Sequence, residues 1–132
     1  MATIREIMST ELVTVAPGST VAEAATVMGG HKVGSALVME NDGLIGIFTE
    51  RDILRALSQD FDAPTHQVAH WMTRDPVTVG PETSADEALQ LMLDGNFRHL
   101  PVCEGSQPVG VVSLRDVSRA ATEGHDGSGE ST

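Results

Sequence analysis

The sequence predicts an α/β (α+β) fold: two tandem β-α-β-β-α units packed with internal pseudo-two-fold symmetry. Three observations carry that expectation. The chain repeats itself without a gap at an offset of 64 residues, as Gly46 and Gly110 illustrate. Each copy alternates β-rich runs with segments whose apolar residues recur at helical spacing. Each copy also carries two Ser/Thr-x-x-Asp/Glu boxes, a common mark of a helix start.

The repeat governs the rest of the reading. GIFTERDILRAL (46–57) falls on GVVSLRDVSRAA (110–121), SALVME (35–40) on HLPVCE (99–104), and IMSTELVTVAPGSTVAEAATVM (7–28) on WMTRDPVTVGPETSADEALQLM (71–92). Identities include Met8/Met72, Val13/Val77, Pro17/Pro81, Met28/Met92, Arg51/Arg115, Asp52/Asp116 and Arg55/Arg119. A unit of ~60 residues buries only about 60% of its unfolded surface, so the two halves need each other.

The elements follow in the same order twice. A helical turn opens each unit, with Ile4, Ile7 and Met8 mirrored by Val68, Trp71 and Met72. A β-rich stretch, Val13–Val15 or Val77–Val79, runs into a Pro-containing turn. A helix then opens at Thr20 or Ser84, its apolar residues (Val21, Ala24, Ala25, Met28; Ala85, Ala88, Leu89, Met92) spaced for one buried face. Two further β-rich runs come next, Ser35–Met39 with Leu44–Phe48 and Leu100–Cys103 with Val109–Val112. The segments between them, ENDG and EGSQP, suit hairpins. A second helix starts at Thr49 or Ser113. The expected boundaries are unit 1 at 1–61, a linker at 62–66 punctuated by Pro64, unit 2 at 67–123, and an acidic tail at 124–132. Without an apolar residue the tail is expected to be disordered.

Composition narrows the function. Phe48, Phe61, Phe97 and Trp71 are the only aromatics, so the core must be aliphatic. Cys103 stands alone, which excludes an internal disulfide, suits a reducing cytoplasm, and suggests a small packed hydrophobe. The start, MATIREIMSTELV, lacks a secretory pattern, and no apolar run approaches the ~20 residues that cross a bilayer. A net charge of −11 argues against nucleic acid and anionic membranes, which need a basic face.

The four boxes, Thr20–Glu23, Thr49–Asp52, Ser84–Glu87 and Ser113–Asp116, all read as helix caps. Two of them also read as ligand sites. Those at 49 and 113 use the shorter Asp, whose reach back to the cap is expected to be poorer, and they follow directly from an apolar strand. A strand running straight into a helix aims unsatisfied N–H groups beyond the sheet, a ready place for an anion. Of eight Lys and Arg residues, Arg51 and Arg115 lie inside these boxes, while Lys32 and Arg98 precede the middle strands. The alternative is that these cations pair with carboxylates on solvated helix faces.

With its motifs TVAPGSTVAEAATVM, GLIGIFTERDILRAL and FRHLPVCEGSQPVGVVSLRDVSRA, the duplicated unit resembles the CBS domain, and the tandem resembles a CBS pair, or Bateman module, over roughly residues 3–122. The resemblance implies a regulatory module that binds AMP, ADP, ATP or S-adenosylmethionine in clefts between the units. In its Gly-x-x-Ser/Thr-x-x-Asp motif, Asp52 and Asp116 would accept hydrogen bonds from ribose hydroxyls. Thr49 and Ser113 would face the phosphate, and Arg51 and Arg115 would add a cation. Adenine would lie against Thr14, Val15, Thr78, Val79, Val33, Ser35, Ala36 and the stretch Phe97, Arg98, His99, Leu100, Pro101. A carboxylate, acceptor-only, suits a vicinal diol with two donors. One departure stands out: Arg98-His99 of the second copy is Gly34-Ser35 in the first. One functional site and one weak or empty site are therefore expected.

The resemblance further implies a homodimer and a signal passed to an effector protein. Rival readings are a structural or interaction module that binds no nucleotide, and a zinc-binding stress protein. For zinc, His66 and His70 have the spacing of two ligands, but a site needs three or four. No metal is expected, and both histidines read as surface residues of a linker helix. No nucleophile elbow, HExxH or Walker loop occurs, so an enzyme is not expected.

Overall fold

The computed structural model describes the backbone of residues 2–129 and the side chains of residues 2–121. The chain forms two compact units, one of Leu12–Pro76 and one combining Met1–Glu11 with Val77–Thr132. The repeat follows the chain; the compact units do not. Each leading helical turn sits in the unit of the other copy.

In the unit of Leu12–Pro76, a four-stranded sheet has the order β1 (Thr14–Val15), β2 (Ser35–Glu40), β3 (Gly43–Thr49), β4 (Thr73–Arg74). β1 runs parallel to β2, and the other neighbours are antiparallel. The β2–β3 turn places both Asn41 (φ 53°) and Asp42 (φ 63°) in the left-handed region, as a two-residue type I′ hairpin requires. α2 (Val21–His31) and α3 (Glu50–Gln59) accompany the sheet. Val21, Ala24 and Met28 of α2 meet Val38 and Phe48 of the sheet in one apolar core with Ala56 of α3. α4 (Val68–Trp71) adds Val68 and Trp71 to it. The expected linker is part of the structure: Ala63–Thr65 forms a 3-10 turn and Ala63 is fully buried in that core.

The second unit repeats the pattern with α5 (Ala85–Gly95), β5 (His99–Glu104), β6 (Gln107–Ser113) and α6 (Leu114–Gly129), led by α1 (Ile4–Ile7). Its core gathers Ile4, Ala85, Ala88, Met92, Leu100, Val102, Val112 and Val117. Ile4 belongs to it because the Ile4 and Arg5 N–H groups donate to the carbonyls of Thr83 and Pro81, at 2.8 Å each. The sheet is reduced to the β5–β6 hairpin flanked by single bridges, Val79 to Val102 and Ser9 to Val111. The strand expected at Val77–Val79 is therefore only a bridge. In the first unit the Leu37 N–H donates to the Val13 carbonyl at 2.9 Å, whereas the residue in the place of Leu37 is Pro101, which has no N–H.

α6 continues to Gly129 through residues 124–129, which composition assigns to a disordered tail; residues 130–132 lie outside the described residues. Three glycines there (Gly124, Gly127, Gly129) each cost a helix ~1 kcal/mol relative to Ala. The helical form there rests on propagation from the packed start around Val117.

Candidate functional site: two strand–helix junctions

β3 passes into α3 between Thr49 and Glu50, and β6 into α6 between Ser113 and Leu114, with no residue between. In each unit the first helical N–H is caught by the carbonyl just ahead of the middle strand. Glu50 donates to Gly34 at 3.0 Å and Leu114 to Arg98 at 2.7 Å. That bond fixes Arg98 beside the first turn of α6; its counterpart Gly34 has no side chain to offer. Ser35 pairs across the strands with Thr49, and His99 with Ser113.

The sequence-predicted residues fall into two sets. Thr14, Val15, Val33, Ser35, Ala36, Thr49, Arg51 and Asp52 belong to one unit; Thr78, Val79, Phe97, Arg98, His99, Leu100, Pro101, Ser113, Arg115 and Asp116 belong to the other. Ala36, Val79 and Leu100 place their side chains in the cores, and Pro101 is fully buried, so these four can offer a ligand little beyond backbone. Thr14, Thr78, Arg98 and Arg115 are exposed, and His99 and Ser113 are half-buried.

The two aspartates differ. Asp52 is 7% exposed. Its Oδ2 accepts from the Thr49 N–H at 2.9 Å and the Thr49 hydroxyl at 3.1 Å, and its own N–H donates back to Thr49 Oγ1 at 3.2 Å. Its Oδ1 faces Arg55 Nη2 at 3.3 Å. The expectation that the shorter Asp reaches back to its cap poorly thus fails at position 52. Thr49, in extended conformation, turns its N–H toward the carboxylate, and Arg55 holds the other oxygen.

At the second junction only half of the box forms. The Asp116 N–H donates to Ser113 Oγ at 3.1 Å. The residue is exposed, and no other described residue bonds to its carboxylate. Arg98 and Arg115 likewise make no ion pair among the described residues, whereas Arg51 has interactions of its own.

Two residues shape this site that sequence reasoning did not assign to it. Arg55 donates from Nη2 to the Trp71 carbonyl at 2.8 Å, and its guanidinium carbon lies 5.3 Å from the Trp71 ring centroid. The signal was present as a mismatch in the repeat: Arg55 recurs as Arg119, but Trp71 aligns with Ile7. His66 is a correction. It is no surface bystander of a helix, since its Nδ1 accepts from Trp71 Nε1 at 3.1 Å and its Nε2 lies 3.3 Å from Asp60 Oδ2. The indole N–H needs an acceptor, and His66 supplies it. Among the described residues, no three His, Cys, Asp or Glu side chains gather to hold a metal ion. None of the described helices is long and apolar enough to cross a membrane.

Duplicated α+β units, each with a strand handing over to an acid-bearing helix, define a tandem-repeat architecture. The CBS domain model matches residues 4–59 and again 68–123, so the chain belongs to the CBS-domain family and carries two such domains in tandem. A 17.7 kDa protein of Acidianus ambivalens, from the bps2 3′ region, is 40% identical over 125 residues, covering 92% of this chain and 74% of its own. The CBS domain pair of protein MJ0100, solved with 5′-methylthioadenosine and S-adenosyl-L-methionine, superposes with a TM-score of 0.83 at 26% identity, covering 92% of this chain and 97% of that one. CBSX2, solved in complex with AMP, gives 0.76 at 27% identity, with 92% and 96% covered.

Proposed function

We propose that this chain is a regulatory adenosine-ligand sensor. It binds AMP, ADP, ATP or S-adenosylmethionine at the β6–α6 junction and passes the occupied state to a partner protein. One observation carries the reading: the Asp116 carboxylate is exposed with no partner among the described residues, while Arg98 and Arg115 flank the same helix start. An acceptor-only carboxylate suits the two donors of a ribose diol. The first-turn N–H groups of α6 and the two guanidinium groups suit a phosphate. The adenosine ligands of MJ0100 and CBSX2 support the ligand class.

The β3–α3 junction is the weaker site, its aspartate already bonded on both oxygens. The protein acts by binding: the one hydroxyl–carboxylate pair that the described residues form at the junctions, Thr49 with Asp52, is a helix cap in which the same Thr49 Oγ1 accepts from the Asp52 N–H. A second copy covers the apolar stripe of Leu54, Leu57 and Phe61 on and just after α3, where Leu54 is 70% and Phe61 88% exposed. Its place is the cytoplasm, and its effector is a protein of unassigned identity.

A thermal-shift series with AMP, ADP, ATP, S-adenosylmethionine and NAD tests the reading. A ligand at 100 times its Kd adds about 2.7 kcal/mol of stability. At least one adenosine ligand should raise the melting temperature of the wild type and have little effect on Asp116→Ala. A flat response to the whole series, with the fold intact, supports a purely structural module instead.

A further inference from the structure

We propose that Arg55 is a positioning residue that latches Asp52 shut, making the β3–α3 junction the closed member of an otherwise duplicated pair. The inference rests on the reading that these junctions take an adenosine ligand, and it accounts for the unequal burial and bonding of Asp52 and Asp116.

The cap alone does not close Asp52. Thr49 occupies Oδ2 and leaves Oδ1 open, which is where a ligand hydroxyl would donate. Arg55 Nη2 takes that oxygen, at 3.3 Å. A half-exposed arginine three residues along a helix would ordinarily hold a carboxylate only loosely. This one is braced from behind. The same Nη2 donates to the Trp71 carbonyl at 2.8 Å, and the guanidinium lies over the Trp71 ring. The ring is itself fixed: it is nearly buried, it stacks parallel to His66 at 6.0 Å, and its N–H is held by His66 Nδ1.

The other unit supplies the comparison within the same chain. Arg119 stands where Arg55 does and α1 packs on α6 as α4 packs on α3, but Ile7 replaces Trp71. An isoleucine keeps the backbone carbonyl but offers no ring face to hold a guanidinium and no indole N–H to be fixed by a histidine, so the ring is what separates the two copies. Among the described residues Arg119 makes no ion pair with Asp116, and Asp116 remains open. The substitution of one residue in the leading helical turn thus sets which copy of the motif is available.

Calorimetric titration with AMP, reading the number of equivalents bound per chain, tests the latch. The wild type should bind one equivalent, and Asp116→Ala should weaken it at least tenfold. Arg55→Leu should add a second equivalent, and the double variant Arg55→Leu/Asp116→Ala should keep that new equivalent. Arg55→Gln, which keeps a donor for Trp71 but not the ion pair, should do the same and covers the case in which Arg55→Leu does not fold. Arg119→Leu should leave the count at one. Two equivalents in the wild type, or one in both Arg55 variants, would overturn the latch while leaving the Asp116 site standing. Binding that is indifferent to Asp116→Ala would instead overturn the parent reading.

Discussion

Gly110 lies so close to Met8 that a Cβ at position 110 would sit 2.7 Å from the Met8 Sδ and 2.8 Å from the Ser9 carbonyl oxygen. Gly46 stands in the same relation to Met72 and the Thr73 carbonyl, again at 2.7 and 2.8 Å. The sulfur could swing aside, but the backbone oxygen cannot. Gly110→Ala and Gly46→Ala should each destabilise by about 1–3 kcal/mol, as overpacking does. Urea unfolding of the two variants checks this, with a lowered midpoint expected in both.

Ile4 is fully buried in the core of the second unit, away in sequence from the residues it packs with. Ile4→Ala should therefore cost about 2–5 kcal/mol, the range for truncating a core aliphatic. Surface substitutions usually stay within about 0.5 kcal/mol, so a loss below ~0.5 kcal/mol in the same urea experiment would contradict the placement of α1 in the second core.

Burial pushes the Cys103 thiol above its ordinary value of 9.0. The folded state thus favours the protonated thiol, and its contribution to stability is present below the unfolded pKa and lost as pH rises beyond it. The reactive thiolate is scarcer in the folded chain. Iodoacetamide should alkylate native Cys103 severalfold more slowly than the urea-unfolded chain at about pH 8, and the native rate profile should rise at higher pH.

The repeat made most of the fold legible in advance. Element order, the capped helix starts at Thr20, Thr49, Ser84 and Ser113, and both hairpins follow from residues adjacent in the chain. What was not legible depended on packing across distance. Nothing local says that Ile4 belongs with Leu100, nor that Trp71 lies against Arg55, because neither pair is close in sequence. The loss of the strand at Val77–Val79 is intermediate: it follows from Pro101 once the parallel pairing of Val13 with the middle strand is known. The difference between Asp52 and Asp116 belongs to the same class, since the Trp71/Ile7 mismatch gains meaning only when α4 is seen to pack on α3.

On the proposed reading, Arg98 fits the second junction for a phosphate. Arg98→Ala should weaken AMP about fivefold, on the order of 1 kcal/mol for an exposed charge. It should change the affinity for 5′-methylthioadenosine, which has no phosphate, by less than twofold. Paired titrations with the two ligands separate this from a general loss of the site.

The pairing of Asp116 with the ribose is tested most directly by a thermodynamic cycle, in which AMP and 2′-deoxy-AMP are each titrated into the wild type and into Asp116→Ala. Charged hydrogen bonds of ~1.5–3 kcal/mol correspond to losses of roughly 10- to 100-fold for either single change. If the carboxylate holds the diol, the combined change should lose little more than the larger single one. Fully additive losses, or an Asp116→Ala variant that binds AMP as the wild type does, would contradict it.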